Sequence, residues 1–149
     1  MGYNYRISDI NCSLGVEQLK RIDDILQIRE SVAEKYHERL KENQHFILPE
    51  MNFADGRLSW FVYTVRLNKS FEREHRDKLV KQLRQKGIGC GRYFAPIHLQ
   101  PFYVKMFGYK KGDFPNSEES GDRIIALPFF NKITDSQIDD VCETICELI

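Results

Sequence analysis

The stretch Trp60-Phe-Val-Tyr-Thr-Val-Arg-Leu67 is β-branched and aromatic and partly alternates apolar with polar positions, which predicts a β-strand. A helix is predicted directly after it over residues 70–86, with Ser70 as its N-cap and Gly87 as its C-cap. Two more short strands are expected, over residues 88–94 and 124–128. Strands that alternate with helices in this way are typical of a small layered α/β structure.

A long helical pattern precedes this strand. Apolar residues recur every three or four positions over residues 8–43, and Ser8 or Asp9 can cap the first turn. One continuous helix of that length would be about 54 Å long, whereas a compact chain of this size is only about 40 Å across. We therefore predict a bend or break at Gly15 and expect the first sixteen residues to lie on a partner surface.

The second half of the chain is predicted to contain a loop, a short helix and a final helix. Residues 95–112 are rich in aromatic residues and carry prolines, so they are expected to form an irregular excursion. A short helix is expected from Asn116 or Ser117. Thr134 and Gln137 have the spacing of a capping box, which predicts that the last helix begins there.

These elements predict an α/β (α+β) fold, a small two-layer sandwich with a short three-stranded sheet and helices on one face. Residues 1–43 form the long helical segment that precedes it, and residues 44–149 form the small domain. A chain of 149 residues that is 42% hydrophobic and 30% charged fits one globular domain and not a disordered tail.

Net charge, apolar runs and cysteine spacing indicate which partners, locations and metal sites to expect. Twenty-two basic residues balance 22 acidic ones, so no net charge draws the chain to nucleic acid or to an anionic membrane. The apolar runs are too short to span a bilayer, and the first residues do not resemble a signal peptide, so a cytoplasmic location is expected. The four cysteines form no Cys-x-x-Cys pair, so neither a metal site nor a disulfide framework is predicted.

Two segments suggest ligand binding from residue types alone. Gly87-Ile-Gly-Cys-Gly-Arg92 resembles a phosphate loop, but it follows a helix and enters a strand, so no helix N-terminus would face an anion. His98 lies between Pro96 and Pro101 in a loop with several hydrogen-bonding side chains, and both a binding role and a structural role stay open.

Several motifs taken in order resemble the DegT/StrS family of sugar-nucleotide aminotransferases, which are pyridoxal-phosphate (PLP) enzymes of fold type I. The resemblance covers essentially the whole chain. It is carried by the segments Gly2-Tyr-Asn-Tyr-Arg6, Gly15-Val-Glu-Gln-Leu19, Trp60-Phe-Val-Tyr63, Tyr93-Phe-Ala-Pro-Ile-His-Leu-Gln-Pro101, Phe114-Pro-Asn-Ser-Glu118 and Ala126-Leu-Pro-Phe-Phe-Asn131.

The resemblance implies amino transfer, usually from glutamate, to a keto-sugar carried on a nucleoside diphosphate, for polysaccharide or amino-sugar biosynthesis. It implies a homodimer in which Asn4 reaches the cofactor phosphate of the neighbouring subunit. Arg6 is expected close to that shared site, and Tyr93 and His98 are expected to border the substrate pocket.

The resemblance also implies what this chain does not supply. None of its eleven lysines lies in a stretch like the family's cofactor-lysine motif. A Schiff-base lysine holds the cofactor and moves protons in transamination. We therefore expect the carboxy-terminal part of such an enzyme, without the large cofactor-lysine domain, without catalytic residues of its own and inactive alone. A non-enzymatic interaction or regulatory module and a free-standing small-molecule-binding domain are the alternatives.

Overall fold

The computed structural model describes residues 5–54, 56 and 58–149, which contain six α-helices and four short strands. The helices are α1 (Asp9–Leu19), α2 (Ile22–Leu40), α3 (Arg73–Gln85), α4 (Pro101–Phe107), α5 (Pro115–Arg123) and α6 (Asp135–Glu147). The strands are β1 (Phe46–Ile47), β2 (Tyr63–Leu67), β3 (Gly91–Arg92) and β4 (Ile124–Leu127). A single 3₁₀ turn, Ile97–Leu99, precedes α4.

The four strands form one antiparallel sheet in the order β1-β2-β4-β3. The mixed α/β class is confirmed, but the predicted count of three strands is wrong. The missed strand, β1, has only two residues, too few to show the period-two alternation on which strand prediction depends. The central strand β2 begins at Tyr63, three residues later than predicted, and β3 is also shorter than predicted.

The core lies between one face of the sheet and α2, α3 and α6. Val65 of β2 pairs with Ile125 of β4 in the sheet, and both side chains are fully buried. Tyr36 of α2 stacks on Tyr63 of β2 with ring centroids 5.1 Å apart, and its hydroxyl donates to the carbonyl of Pro128 at 2.7 Å. Burial raises the pKa of both tyrosines well above the ordinary value. The part of the chain from α2 to α6, called the body below, therefore has one continuous core.

The long helical pattern is interrupted at Lys20–Arg21, not at the predicted Gly15, which lies inside α1. The Arg21 amide donates to the carbonyl of Gln18, only three residues back, so the α-helical ladder ends there. Of the two predicted N-cap candidates, Ser8 and Asp9, the structure selects Ser8, whose hydroxyl accepts from the Asn11 amide. No residue of α1 is buried.

The ends of α3 and α6 can be compared with the predicted helix caps. Thr134 and Gln137 form the predicted capping box of α6. The predicted cap Ser70 is wrong, because Glu72 caps α3 in a reciprocal pair with His75. Gly87 follows α3 with φ +82°, a conformation that glycine adopts without the Cβ clash.

The predicted irregular excursion over residues 95–112 contains the 3₁₀ turn and α4. Pro101 occupies the first turn of α4, where its missing N–H costs no hydrogen bond, so the proline that indicated a loop starts a helix instead. Likewise α5 starts at Pro115, ahead of the predicted Asn116. In the part of the chain that is described, no helix is both long and apolar enough to cross a membrane.

Candidate functional site

The segment that leaves β3 carries two of the predicted binding residues, Tyr93 and His98. Tyr93 is half-buried, and its ring centroid lies 4.6 Å from that of Phe94. Phe94 has φ +45°, in the left-handed region that costs a non-glycine residue about 1–3 kcal/mol. Its side chain is 72% exposed. Strained residues of this kind concentrate at ligand sites, so the segment is a candidate site on backbone geometry as well as on residue type.

Close packing holds this segment against α5. A Cβ added to Gly121 would lie 3.0 Å from Cδ of Pro96 and 3.1 Å from its Cγ. No side chain fits at Gly121 unless the proline ring moves. The Pro96 ring therefore packs closely against the backbone of α5 at Gly121.

His98 is buried, and its Nε2 lies 2.9 Å from Oε1 of Glu118 on α5. The Glu118 carboxylate also accepts from the backbone amides of Gly112 at 2.9 Å and Phe114 at 3.3 Å. A carboxylate that accepts from two N–H groups is ionised, so the Nε2–H of His98 is the donor in their hydrogen bond. One glutamate thus ties the 3₁₀ turn to the loop that leads into α5.

Two opposing influences act on the pKa of Glu118. Desolvation is the largest single one and raises the pKa, but the hydrogen bonds from His98, Gly112 and Phe114 together outweigh it. The pKa of Glu118 therefore lies below its ordinary value. The carboxylate stays ionised at neutral pH, and the clamp that it makes is intact there.

Aromatic rings enclose the other side of His98. Its ring centroid lies 4.7 Å from that of Phe114 and 6.3 Å from that of Tyr109. Tyr109 in turn contacts Phe107 and Phe114. Because these rings and Glu118 hold the imidazole on several sides, His98 has a fixed orientation.

The structure places three of the four predicted site residues, and they lie in two regions. Tyr93 and His98 lie on one segment, at the end of β3 and in the 3₁₀ turn. Arg6 precedes α1 and is exposed. Asn4, the predicted phosphate ligand, lies outside the described residues. Glu118 is not among the predicted site residues, although it lies in the motif Phe114-Pro-Asn-Ser-Glu118, because nothing in that motif reveals a partner twenty positions away.

No lysine of the chain fits a covalent PLP site. Lys35 is the only one that is even partly buried, and its Nζ lies 2.6 Å from Oδ1 of Asp135. The other ten lysines are exposed. A lysine that forms a Schiff base is activated by desolvation or by a neighbouring cation. The exposed lysines are not desolvated, and Lys35 has a carboxylate as its neighbour instead of a cation. Among the described residues, no group of three or more His, Cys, Asp and Glu side chains could hold a metal ion.

Comparison with known proteins identifies the family. Residues 1–146 match the DegT/DnrJ/EryC1/StrS aminotransferase family, and the chain belongs to it. The spore coat polysaccharide biosynthesis protein SpsC of Bacillus subtilis is 32% identical over 149 residues, a match that covers 99% of this chain and 38% of SpsC. The chain therefore spans about 38% of the length of the curated relatives that it matches.

Solved structures agree with this assignment. A DegT DnrJ EryC1 StrS aminotransferase from Brucella abortus superposes with a TM-score of 0.81 at 29% identity, covering 99% of this chain and 37% of that one. Spr1654 from Streptococcus pneumoniae in its PLP form gives a TM-score of 0.88 at 23% identity, covering 96% of this chain and 36% of that one. The predicted fold and family are confirmed.

Proposed function

We propose that this chain is the carboxy-terminal part of a PLP-dependent sugar aminotransferase, which moves an amino group from glutamate to a nucleotide-linked keto-sugar for polysaccharide or amino-sugar biosynthesis. The observation that carries the proposal is the family match over residues 1–146. When bound, PLP supplies the electron sink for amino transfer. Because no lysine here fits a covalent site, this chain contributes binding groups and leaves the cofactor lysine to the rest of the protein.

His98 and Tyr93 border the substrate pocket in this proposal. The Nε2–H of His98 is donated to Glu118 at 2.9 Å, so in the neutral ring Nδ1 is an acceptor. That atom suits a sugar hydroxyl, which can donate to it. The half-buried ring of Tyr93 provides an apolar surface and a hydroxyl beside it. Both groups belong to the segment that leaves β3, and a sugar-binding pocket uses acceptors and aromatic surfaces of this kind.

Asn4 and Arg6 act at the cofactor end in this proposal. The protein is a cytoplasmic homodimer in which the neutral amide of Asn4 donates to the PLP phosphate of the neighbouring subunit. Arg6 lies close to the same shared site and is exposed in this chain. An amide and a guanidinium are both donors to phosphate oxygens, and the guanidinium adds charge.

The test compares this chain alone with a longer polypeptide that joins it to a domain carrying the cofactor lysine. The longer protein should form 2-oxoglutarate from glutamate when a nucleotide-linked keto-sugar is present, and the 149-residue chain should not. Its Asn4→Ala variant should lose PLP affinity roughly ten- to hundredfold, because one hydrogen bond to a charged group is removed.

Two results would contradict the proposal. One is a longer protein that binds PLP but transfers no amino group to any nucleotide-linked keto-sugar. The other is a stoichiometric, borohydride-stable lysine adduct of PLP on the 149-residue chain, detected by mass spectrometry.

A further inference from the structure

The segment that leaves β3 has almost no share in the hydrophobic core. Residues 92–117, all of which the structure describes, include one buried residue, His98. The aromatic rings of this segment are exposed or half-buried, and none of them belongs to the core cluster. Regions with few buried apolar contacts open easily. The shape of the segment therefore depends on a few individual attachments to the body.

The attachments at the start of the segment are weak or unspecific. Nε of Arg92 lies 3.0 Å from Oδ1 of Asp77 in an ion pair, but the Arg92 side chain is 56% exposed. Ion pairs in contact with water contribute little to stability. Pro96 packs against Gly121 of α5, which limits the distance between them but orients no polar group. The buried contact of His98 with Glu118 is thus the attachment that gives the segment a direction.

Glu118 is suited to this task because α5 is itself held from two sides. Nη1 of Arg76 on α3, a residue that is 3% exposed, donates to the carbonyls of Gly121 at 2.9 Å and Ile124 at 3.1 Å. Nη1 of Arg66 on β2 donates to Oγ of Ser120 at 3.2 Å. Side chains carried by fixed helices and strands orient a site more accurately than those carried by loops. Helix α5 therefore provides a rigid support for the Glu118 carboxylate.

The carboxylate fixes both the middle and the end of the segment. Its Oε1 lies 2.9 Å from Nε2 of His98 and 3.3 Å from the Phe114 amide nitrogen, and both of its oxygens accept from the Gly112 amide. The proton on Nε2 leaves Nδ1 of the neutral ring as an acceptor, because the hydrogen bond at one ring nitrogen determines the state of the other. Glu118 thus controls the chemical character of His98 as well as its position.

From these observations we propose that Glu118 is a positioning residue for recognition of the acceptor substrate. It holds the segment from Tyr93 to Phe114 in its binding shape and keeps Nδ1 of His98 an acceptor. The inference rests on the proposed function, in which Tyr93 and His98 border the substrate pocket. Because both oxygens of Glu118 are occupied by donors of this chain, it acts through His98 and does not touch the substrate.

The proposal separates the two steps of amino transfer. In the proposed function, Tyr93 and His98 meet the keto-sugar, so their positioning matters when the keto-sugar is bound. The first step, in which glutamate gives up its amino group, does not use them. Loss of Glu118 should therefore impair the keto-sugar step and spare the glutamate step, whereas a general structural defect would impair both steps together.

The first experiment measures both steps in the longer protein that carries the cofactor lysine. Glu118→Gln keeps the shape of the side chain, but it has one acceptor oxygen and places an NH₂ group against backbone N–H donors. Its KM for the keto-sugar should rise about tenfold, since a charge-assisted hydrogen bond is lost. Formation of 2-oxoglutarate from glutamate alone, measured in a single turnover, should be unchanged. Glu118→Asp, whose carboxylate is one carbon further from His98, should show the same split.

The second experiment follows His98 in the 149-residue chain by nitrogen-15 NMR, which identifies the protonated ring nitrogen. In the wild type the proton should be on Nε2. In both Glu118 variants the two tautomers should be mixed, and the Gly112 and Phe114 amides should exchange faster with solvent. Glu119→Gln is the matched control, because it is the same change one residue further along α5, where Glu119 pairs with Arg123 of the same helix.

The control should match the wild type in both experiments, and circular dichroism should show that it and Glu118→Asp are folded. An unchanged KM for the keto-sugar in both Glu118 variants would overturn the proposal. So would equal losses in the two steps, a wild-type tautomer of His98 in both Glu118 variants, or a rise in KM for Glu119→Gln that equals the rise for Glu118→Gln.

These outcomes are distinct from a failure of the proposed function. If the longer protein transfers amino groups equally well with and without Glu118, the positioning role is wrong and the function stands. If the longer protein transfers no amino group, the function is wrong, and with it the role in substrate recognition. The NMR result on the 149-residue chain then still shows whether Glu118 orients His98.

Discussion

Helices α1 and α6 begin with the same kind of N-cap but have opposite surroundings. Each begins at a hydroxyl N-cap, Ser8 or Thr134, and each carries several large apolar side chains. In α6, Ile138 and Ile145 are fully buried, whereas in α1 Ile10 is 83% exposed. Capping and periodicity are sufficient to start a helix, but only packing against other elements supplies most of a helix's stability. The body of the chain provides that packing for α6, and no described residue provides it for α1.

The apolar residues of α1 therefore need a surface outside the described residues. Ile7, Ile10, Leu14, Val16 and Leu19 are all more than half exposed. Burying each would contribute about 1.5–3 kcal/mol. Ile10 and Leu14 are four residues apart and therefore lie on one face of α1, and exposed apolar patches mark interaction sites. In the proposed function, the partner surface belongs to the rest of the enzyme and to its neighbouring subunit.

The largest expected difference between the two helices comes from truncating one isoleucine in each. Ile138→Ala should lower the free energy of unfolding by about 2–5 kcal/mol, because it leaves a cavity in the core. Ile10→Ala, the same change on α1, should alter it by less than about 0.5 kcal/mol. Urea unfolding of the two variants measures both values. Similar losses would show that Ile10 is buried in solution.

A helix boundary can be predicted from sequence when the residues that determine it are close together along the chain. The sequence predicts the cap Thr134, and narrows that of α1 to Ser8 or Asp9, because a capping side chain and the amide three residues later form a local unit. The break at Lys20–Arg21 was not predicted, because these residues carry no helix-breaking side chain. The predicted loop over residues 95–112 contains Pro101, and the predicted start at Asn116 or Ser117 leaves Pro115 just outside the short helix, although proline is well suited to a first helical turn.

The candidate site shows the same limit. Tyr93 and His98 were singled out from a contiguous motif, but the partner of His98 is a glutamate twenty residues away. The pairing of Asp77 with Arg92 likewise joins α3 to β3. Such contacts arise only when the chain brings separate elements together, so no pattern within a short window contains them.

The loops around α5 are held by the hydrogen bonds that the Glu118 carboxylate accepts from His98, Gly112 and Phe114. Because the pKa of Glu118 is lowered in the folded chain, its ionised form stabilises the fold above the ordinary value of 4.5. That contribution is lost as the pH falls through the lowered pKa. Glu118→Gln should be less stable than the wild type at pH 7, and the difference should shrink as the pH falls below about 4.5.

Unfolding free energies at pH 7 and at several values below pH 5 test this prediction. Glu34→Gln, at an exposed position on α2, is the control and should follow the wild-type profile. A constant difference between wild type and Glu118→Gln across this range would mean that the clamp does not depend on the charge of Glu118.

A smaller effect is expected at the two N-caps. Thr134→Ala removes a side chain that accepts from the Gln137 amide at 3.2 Å, and it should lower the global free energy of unfolding by about 1 kcal/mol. Ser8→Ala removes the equivalent acceptor of α1 and should reduce only the helix content seen by circular dichroism, without shifting the urea midpoint. A shifted midpoint for Ser8→Ala would mean that α1 unfolds together with the body.

Hydrogen exchange of the wild-type chain tests the contrast between α1 and the body most directly. Under conditions where sedimentation shows a monomer, the amides of α1 should exchange at nearly unprotected rates. Those of β2, β4 and α6 should be protected up to the global unfolding free energy. At higher concentration, protection of α1 should rise together with the appearance of dimers or larger species. A monomer in which α1 is as strongly protected as α6 would contradict the account, because it would show that this chain covers α1 by itself.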